Sequence, residues 1–223
     1  SRRRHTRCSR DWSSDVCSSD LPKVSETTRK VTMSSNTVST HRVLADFVTA
    51  NIVNTVALIV GGATFVGLLA QVSIPLGFTP VPVTGQTLGV LMVGSALGFS
   101  RAAASMSLYL VAGLAGVPWF AGGMSGYAPS CGYIVGFILA AAYLGRSAEG
   151  GASGSIIRSV PSMLFAEALI YAIGVSWLKV DLGVTWSSAV ALGFTPFIAG
   201  DVVKAIIAGC LLPTAWSVVK KLK

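Results

Sequence analysis

Charge is scarce in this sequence, since only 12% of its 223 residues are Asp, Glu, Lys or Arg. Soluble domains carry roughly twice that share, about 25%. Between Asn51 and Gly145 the one charged residue is Arg101. So long an uncharged stretch excludes a water-soluble globule. It indicates an integral membrane protein in contact with a lipid bilayer.

Catalytic and metal-binding motifs are also missing. The sequence contains no GxxxxGK[ST], no HExxH and no Ser/His/Asp set, and its two histidines are His5 and His41. The chain therefore has no P-loop with which to use ATP, and we expect neither an enzyme nor a cofactor or metal site. Cys131 and Cys210 stand singly in apolar surroundings, so we predict small buried side chains.

Residues 1–32 differ in composition from the rest. They are rich in Ser and Arg, contribute half of the net charge of +8, and include no apolar core, so they are not a secretory signal. Acidic residues interrupt the basic run, which argues against a nucleic-acid partner. We interpret 1–32 as a non-native or disordered leader, Met33 as a start, and 33–223 as the membrane domain.

Six apolar segments predict an all-α membrane protein with six transmembrane helices. Only the first, fifth and sixth reach the roughly 20 residues that cross a bilayer, so the middle three are expected to be short, tilted or partly re-entrant. The segments are 47–74, 86–99, 102–114, 132–144, 160–178 and 197–219.

The basic residues predict the orientation. Six spans place Arg42, Arg101, Arg146, Arg158 and the C-terminal lysines on one side. Because cytoplasmic loops carry the excess of Lys and Arg, both termini are predicted to be cytoplasmic.

The two outer loops are unusual. "PLGFTPVPVTGQT" is crowded with Pro, Gly and Thr, and "GLAGVPWFAGGMSGYAPSCGY" adds glycines to the flat rings of Trp119, Phe120, Tyr127 and Tyr133. Glycine permits close approach of backbone to a ligand. We expect ligand-capping loops; ordinary surface loops with interfacial aromatic residues are the alternative.

The last segment holds the most informative pair of residues. In "FTPFIAGDVVK", Pro196 suits a first helical turn, and Asp201 and Lys204 are spaced to share one helix face. Charges inside a membrane usually face a bundle interior and mark a pathway, although a self-satisfied pair that only locks the helix is possible. Glu167 is another intramembrane charge, which can pair with Lys204, contact a partner or hydrogen-bond internally.

The first segment carries small residues four apart, Ala57 with Gly61 and Ala63 with Gly67. Such faces let helices approach closely. They suit packing inside the bundle or contact with a partner subunit equally well.

Taken together, residues 74–137 and 197–209 resemble the BioY family, the biotin-binding S components of energy-coupling-factor transporters. The matching elements are "PVPVTGQTL", "YLVAGLAGVPWFAGG" and "GDVVK", in the family's order. "APSCGY" departs from the family's G-P-T-G-G-Y-like element but keeps Pro129, Gly132 and Tyr133, so an altered loop is expected.

The resemblance implies a subunit of the bacterial plasma membrane that captures biotin from outside. Its partners would be a transmembrane T component and two ATP-binding-cassette ATPases, with the small-residue faces as the T contact. Asp201 and Lys204 correspond to residues that contact biotin. Gln86, Phe120, Gly122 and Gly123 correspond to loop elements around the pocket.

Biotin's chemistry fits these side chains. Asp201 can accept the ureido N–H bonds and Lys204 can donate to the ureido carbonyl, while Gln86 or Thr84 helps the glycine-rich loop to hold the carboxylate. Two alternatives remain open: an S component for another vitamin, or a proton-coupled carrier that uses Asp201, Glu167 and Lys204 as a relay.

Overall fold

The computed structural model of the chain describes residues 43–47 and 51–221. The expected leader, Met33 and Arg42 lie outside the described residues. The described part contains seven α-helices: α1 (Ile52–Gln71), α2 (Gln86–Leu97), α3 (Phe99–Leu114), α4 (Cys131–Glu149), α5 (Ile156–Leu182), α6 (Trp186–Gly193) and α7 (Ile198–Lys221). Short 3-10 helices are Leu44–Phe47, Ala121–Gly123 and Ala152–Gly154.

Each of the six predicted segments corresponds to a helix, and the protein is mostly helical. By length and apolar composition, four helices can cross a membrane: α1, α4, α5 and α7 up to Ala215. α4 continues to Glu149, past the predicted end at 144. The prediction followed the apolar residues, whereas the helix adds a charged last turn in which Arg146 pairs with Glu149 at 3.5 Å.

Two features depart from the prediction of six helices without strands. Strands β1 (Ser73–Ile74) and β2 (Val83–Thr84) pair antiparallel ahead of α2, because the Pro-rich loop between them folds back on itself. The short helix α6 was also missed. It begins at a local signal, Thr185, whose hydroxyl accepts a hydrogen bond from the Ser188 N–H at 3.4 Å.

The buried faces of the helices combine small residues with large apolar side chains such as Leu91, Met106 and Leu144. α4 lies among α2, α3 and α5, and α7 packs on α2 and α5. On the described part of α7 the buried side chains are Asp201, Ala205, Ala208 and Leu212, which recur every three or four residues and so form one stripe. Asp201 therefore faces the bundle interior because it lies in line with the apolar packing positions.

The outer loops are tied to the helices below them. The Thr79 hydroxyl donates to the Leu192 carbonyl of α6 at 2.8 Å, and the Gly85 N–H donates to the Val72 carbonyl at 3.1 Å. In the second loop, the Gly126 N–H donates to the Gly113 carbonyl of α3 at 2.8 Å. These bonds hold both loops over the same end of the bundle.

Two local predictions were wrong. Pro196 lies in the turn before α7, which begins at Ile198; the Asp201 N–H already bonds the Phe197 carbonyl at 3.0 Å. Cys131 is buried, as predicted, but Cys210 is exposed. It lies between the buried positions of the α7 stripe and so points away from the bundle.

Candidate functional site

An ion pair lies at the start of α7, on its buried face. Lys204 Nζ is 2.7 Å from Asp201 Oδ1, since a spacing of three residues puts both side chains on one side of a helix. Asp201 is buried, whereas Lys204 is partly exposed. Helix geometry therefore suffices to form the pair that the sequence predicted.

A hydrogen-bond network connects this pair to two other elements. Lys204 Nζ also donates to the Thr84 carbonyl at 2.7 Å and to Thr87 Oγ1 at 3.1 Å. Thr87 in turn donates to Asp201 Oδ1 at 3.1 Å, and the Tyr171 hydroxyl of α5 donates to Asp201 Oδ2. The network joins α7 to the β2–α2 junction and to α5.

Nearly all hydrogen-bonding positions of Asp201 and Lys204 are occupied in this network. An ammonium has three N–H donors and a carboxylate has about four acceptor positions. All three donors of Lys204 are engaged, and three of the acceptor positions of Asp201 are filled. A ligand that bonds to Lys204 must therefore displace one of its present acceptors.

Tyr133 forms a second wall. Its hydroxyl donates to the Gly193 carbonyl at 2.8 Å, and its ring lies across α5 at Gly174. A Cβ at Gly174 would be 2.3 Å from the ring, which is too close for any other residue. The glycines thus permit Tyr133 to reach between α5 and α6.

Gln86 begins α2 in a second buried network. Its Nε2 donates to the Tyr109 hydroxyl at 2.6 Å, and its Oε1 accepts from the Thr84 hydroxyl at 2.9 Å. The Tyr109 hydroxyl donates to the Trp119 carbonyl at 3.0 Å, and Trp119 Nε1 returns a bond of 3.0 Å to the Tyr109 carbonyl. Gln86 therefore couples the Lys204 network to the second outer loop.

The two networks border one cavity of about 50 Å³. Small-molecule sites usually measure roughly 300–1,000 Å³, so this cavity must widen to admit a vitamin-sized ligand. A second hollow of about 350 Å³ lies beneath the two outer loops. Pro82 and Ala121 line both spaces, and they form the partition between them.

The structure brings together half of the predicted ligand residues. Those that line the cavity are Thr84, Gln86, Tyr133, Asp201 and Lys204. The others are Trp119, Phe120, Gly122, Gly123 and Tyr127. Of these, Gly122 lines the outer hollow.

Trp119 and Phe120 pack inside the bundle. Phe120 is 3% exposed, and its ring meets Tyr109 edge-on with centroids 5.4 Å apart. A Cβ on Gly113 would be 2.1 Å from that ring, so α3 needs glycine there. Both aromatic side chains thus fix the second loop on α3, and it is the next residue, Ala121, that lines the cavity.

Tyr127 lies outside the cavity, on the surface beside the end of α5. Its hydroxyl donates to Asp181, and its ring lies 6.4 Å from that of Trp177. The hydrogen bond to Asp181 raises the pKa of the Tyr127 hydroxyl above its ordinary value of 10.0. Contact of Tyr127 with a ligand stays a prediction, and here the ring is 65% exposed.

Thr87 and Tyr171 were not among the predicted site residues, although both line the cavity. Thr87 had a signal, because it belongs to the "GQTL" motif directly after Gln86. Tyr171 follows Glu167 by four residues on α5 and so shares its face. Only the packing of α5 on α7 shows that its hydroxyl reaches Asp201.

The two small-residue pairs of α1 lie on different faces. Ala63 and Gly67 are buried, and a Cβ at Gly67 would be 3.2 Å from Trp119. Ala57 and Gly61 are exposed, and a Cβ at Gly61 would have nothing within 4 Å. They line an apolar groove of about 570 Å³ between α1, α2 and α7.

Comparison with known proteins gives consistent matches. The BioY family model matches residues 33–221. The biotin transporter BioY2 of Lactococcus lactis subsp. cremoris (strain MG1363) is 37% identical over 153 residues, which are 67% of this chain and 83% of that protein. The biotin transporter BioY of Rhizobium etli is 37% identical over 157 residues, covering 65% of this chain and 82% of its own length.

A solved structure is similar as well. The crystal structure at 2.1 Å of the S-component for biotin from an ECF-type ABC transporter superposes with a TM-score of 0.67 at 25% sequence identity. The match covers 74% of this chain and 92% of that one.

Proposed function

The chain belongs to the BioY family, and on that premise we propose that it is the biotin-binding S component of an energy-coupling-factor transporter. The family resemblance seen in the sequence motifs is thereby confirmed, and the chain is a transporter component and not an enzyme. The observation that carries the proposal is the buried Asp201–Lys204 pair at the wall of a cavity under two outer loops. A polar, hydrogen-bonded wall of this kind suits the ureido group of biotin.

We propose that Asp201 and Lys204 bind the ureido group. Asp201 Oδ2 keeps one acceptor position for a ureido N–H, and Lys204 Nζ donates to the ureido carbonyl once it leaves Thr84 or Thr87. Thr84, Gln86, Tyr133 and the glycine-rich loop then surround the rest of the ligand. Entry proceeds from the outer hollow past Pro82 and Ala121, because these two residues line both spaces.

Titration calorimetry of the purified protein with biotin tests this proposal. Asp201→Asn removes a charged acceptor, and a hydrogen bond to a charged group is worth about 1.5–3 kcal/mol. We expect the affinity to fall by about 10- to 150-fold. Asp181→Asn is the matched control and should bind like the wild type, since Asp181 lies outside the cavity. Equal affinities of Asp201→Asn and wild type would refute the ureido assignment.

Biotin amide distinguishes the two ends of the ligand. If the loop binds the carboxylate, biotin amide binds more weakly than biotin to the wild type, and Asp201→Asn weakens both ligands by the same factor. An effect of Asp201→Asn on biotin that vanishes with biotin amide would reverse the pose. A panel with riboflavin and thiamine separates biotin from other vitamins.

We further propose six membrane crossings, by α1–α5 and α7, with both termini cytoplasmic in the bacterial plasma membrane. Arg101, Arg146 and Arg158 then lie on the inner side, as the positive-inside rule requires. α2 is only 12 residues long. Hairpin β1–β2 completes its crossing, since non-helical backbone is tolerated at membrane depth where it lines a protein cavity.

The groove beside α1 is the proposed contact with the transmembrane T component, which works with two ATPase subunits. Ala57 and Gly61 are its small, exposed residues, whereas Ala63 and Gly67 are buried within the chain and take no part. Gly61→Leu should leave biotin binding unchanged and abolish ATP-driven uptake by vesicles that contain the complete transporter. Ala172→Leu, a similar enlargement on the exposed face of α5, is the control. Normal uptake by Gly61→Leu would disprove the contact.

A further inference from the structure

Glu167 lies in the middle of α5, and its carboxyl group takes part in none of the hydrogen bonds described above. It is only 5% exposed, and neither of its oxygens has a hydrogen-bond partner among the described residues. Most buried polar side-chain atoms in proteins are hydrogen-bonded. A buried carboxyl group without a donor therefore requires a physical explanation.

The surroundings of Glu167 hold an acid and a base. The Glu167 carboxyl group interacts with the Asp201 carboxyl group and with the Lys204 ammonium across the α5–α7 contact. Lys204 has no donor left for Glu167, because all three bond to Asp201, Thr84 and Thr87. Two ionised carboxylates are both acceptors only, so Glu167 and Asp201 form no bond unless one of them holds a proton.

A count of charges leads to the same result. Of the described residues, Asp201 and Lys204 on α7 and Tyr171 on its own helix interact with Glu167, and Tyr133 on α4 meets the Tyr171 ring with centroids 6.2 Å apart. α2, which also packs here, contains no titratable residue. The tyrosines are neutral near pH 7, and Asp201 already balances Lys204. An ionised Glu167 would be a second, uncompensated negative charge in the interior, which is strongly unfavourable.

We propose that Glu167 carries a proton and donates it to Asp201 Oδ2, so that Asp201, Glu167 and Lys204 form a neutral cluster behind the cavity wall. The proton is taken from solvent and no bond to carbon changes. One acceptor position remains on Oδ2 beside the bond from Tyr171, and the Glu167 O–H fills it. A ureido N–H that enters the site takes this position, and the displaced Glu167 must then stay protonated, because an ionised carboxylate there would be a second buried negative charge beside Asp201. Ligand binding therefore depends on the proton. That last consequence depends on the proposed function, whereas the shared proton does not.

Infrared spectroscopy of the full chain without ligand tests the proton directly. At neutral pH the wild type should show the carbonyl stretch of a protonated carboxylic acid, shifted in heavy water. Glu167→Gln should lose this band, while Glu149→Gln, a control at the other end of the bundle, should keep it. Absence of the band in wild type, or its persistence in Glu167→Gln, overturns the proposal.

Asp201→Asn gives a second test that leaves Glu167 in place. With one acid remaining beside Lys204, Glu167 should ionise and pair with the ammonium, so the band should disappear. A band that persists in a folded Asp201→Asn protein overturns the charge count, because burial alone would then keep Glu167 neutral.

Biotin titrations across pH test the link to binding. Loss of the proton places a second negative charge in a site that ligand binding desolvates further. Wild-type affinity should therefore be full at low pH and fall as pH rises, approaching about tenfold per pH unit, while Glu167→Gln stays constant. A parallel decline in both proteins contradicts the link. If wild type binds no biotin at any pH, the proposed function fails, and the infrared result still decides the proton.

Discussion

Replacement of Lys204 by Met tests how the polar cluster is held together. The substitution keeps an unbranched apolar stem and removes the ammonium that bonds Asp201, Thr84 and Thr87. Asp201 is then a buried carboxylate without its cation, and its remaining donors are Thr87, Tyr171 and the proposed Glu167 O–H. We expect a clear loss of stability, limited by uptake of a proton on Asp201.

The magnitude follows from the burial of the pair. Loss of one partner from a buried ion pair costs about 3–5 kcal/mol, and Lys204 is 18% exposed, which favours the lower end. The double variant Asp201→Asn, Lys204→Met has no charge to compensate, and its amide oxygen still accepts from one of the two hydroxyls, Thr87 or Tyr171, that bond separate oxygens of Asp201. It should be more stable than Lys204→Met by about 1–2 kcal/mol, within the usual range of coupling between contacting residues.

Reversible unfolding in detergent, measured for the wild type, both single variants and the double variant, supplies the four free energies of this cycle. Biotin binding should fail in both variants that lack Lys204. Additive losses, with the double variant as unstable as the two single variants combined, would refute the reasoning, because the two side chains would then contribute independently.

Three further outcomes follow from the geometry. Gly174→Ala, whose Cβ would meet the Tyr133 ring at 2.3 Å, should lower the free energy of unfolding by about 1–3 kcal/mol and weaken biotin binding. Gly200→Ala is the control, because a Cβ there has nothing within 4 Å, and it should raise the free energy of unfolding by about 0.5–1 kcal/mol. Equal effects of the two glycine substitutions would contradict the packing of Tyr133 on Gly174. Tyr109→Phe removes the acceptor of Gln86 and should cost about 1–3 kcal/mol in the same assay; an unchanged unfolding curve would mean that this network is not formed. Asp181→Asn should return the pKa of Tyr127 toward 10, as followed by ultraviolet titration, and an unaltered pKa would exclude their hydrogen bond.

Helices and the ion pair were accessible from the sequence because both depend on local spacing. Apolar runs indicated each long helix, and a separation of three residues placed Asp201 beside Lys204. α6 and the hairpin β1–β2 escaped notice, since one is a single capped stretch of eight residues and the other depends on a loop that folds back. Tyr171 escaped for a different reason: its role requires α5 to pack on α7.

The predicted loop residues lie in different places of the structure for a similar reason. Their composition favoured a ligand cap for all the aromatic residues alike. Packing then directed Phe120 against Tyr109, tied Trp119 to α3 and left Tyr127 at the surface, because each ring occupies the space that a nearby glycine or helix end provides.

The sequence alone established that the chain is a membrane protein, that it belongs to its family and that an acid and a base share one helix face. These features depend on hydropathy and helical period, which act over short distances along the chain. Tertiary structure alone decided which hydroxyls surround that acid, which small-residue face of α1 stays open, and that a second carboxyl group lies beside the first. Those outcomes depend on how distant helices approach one another, and no local pattern encodes that approach.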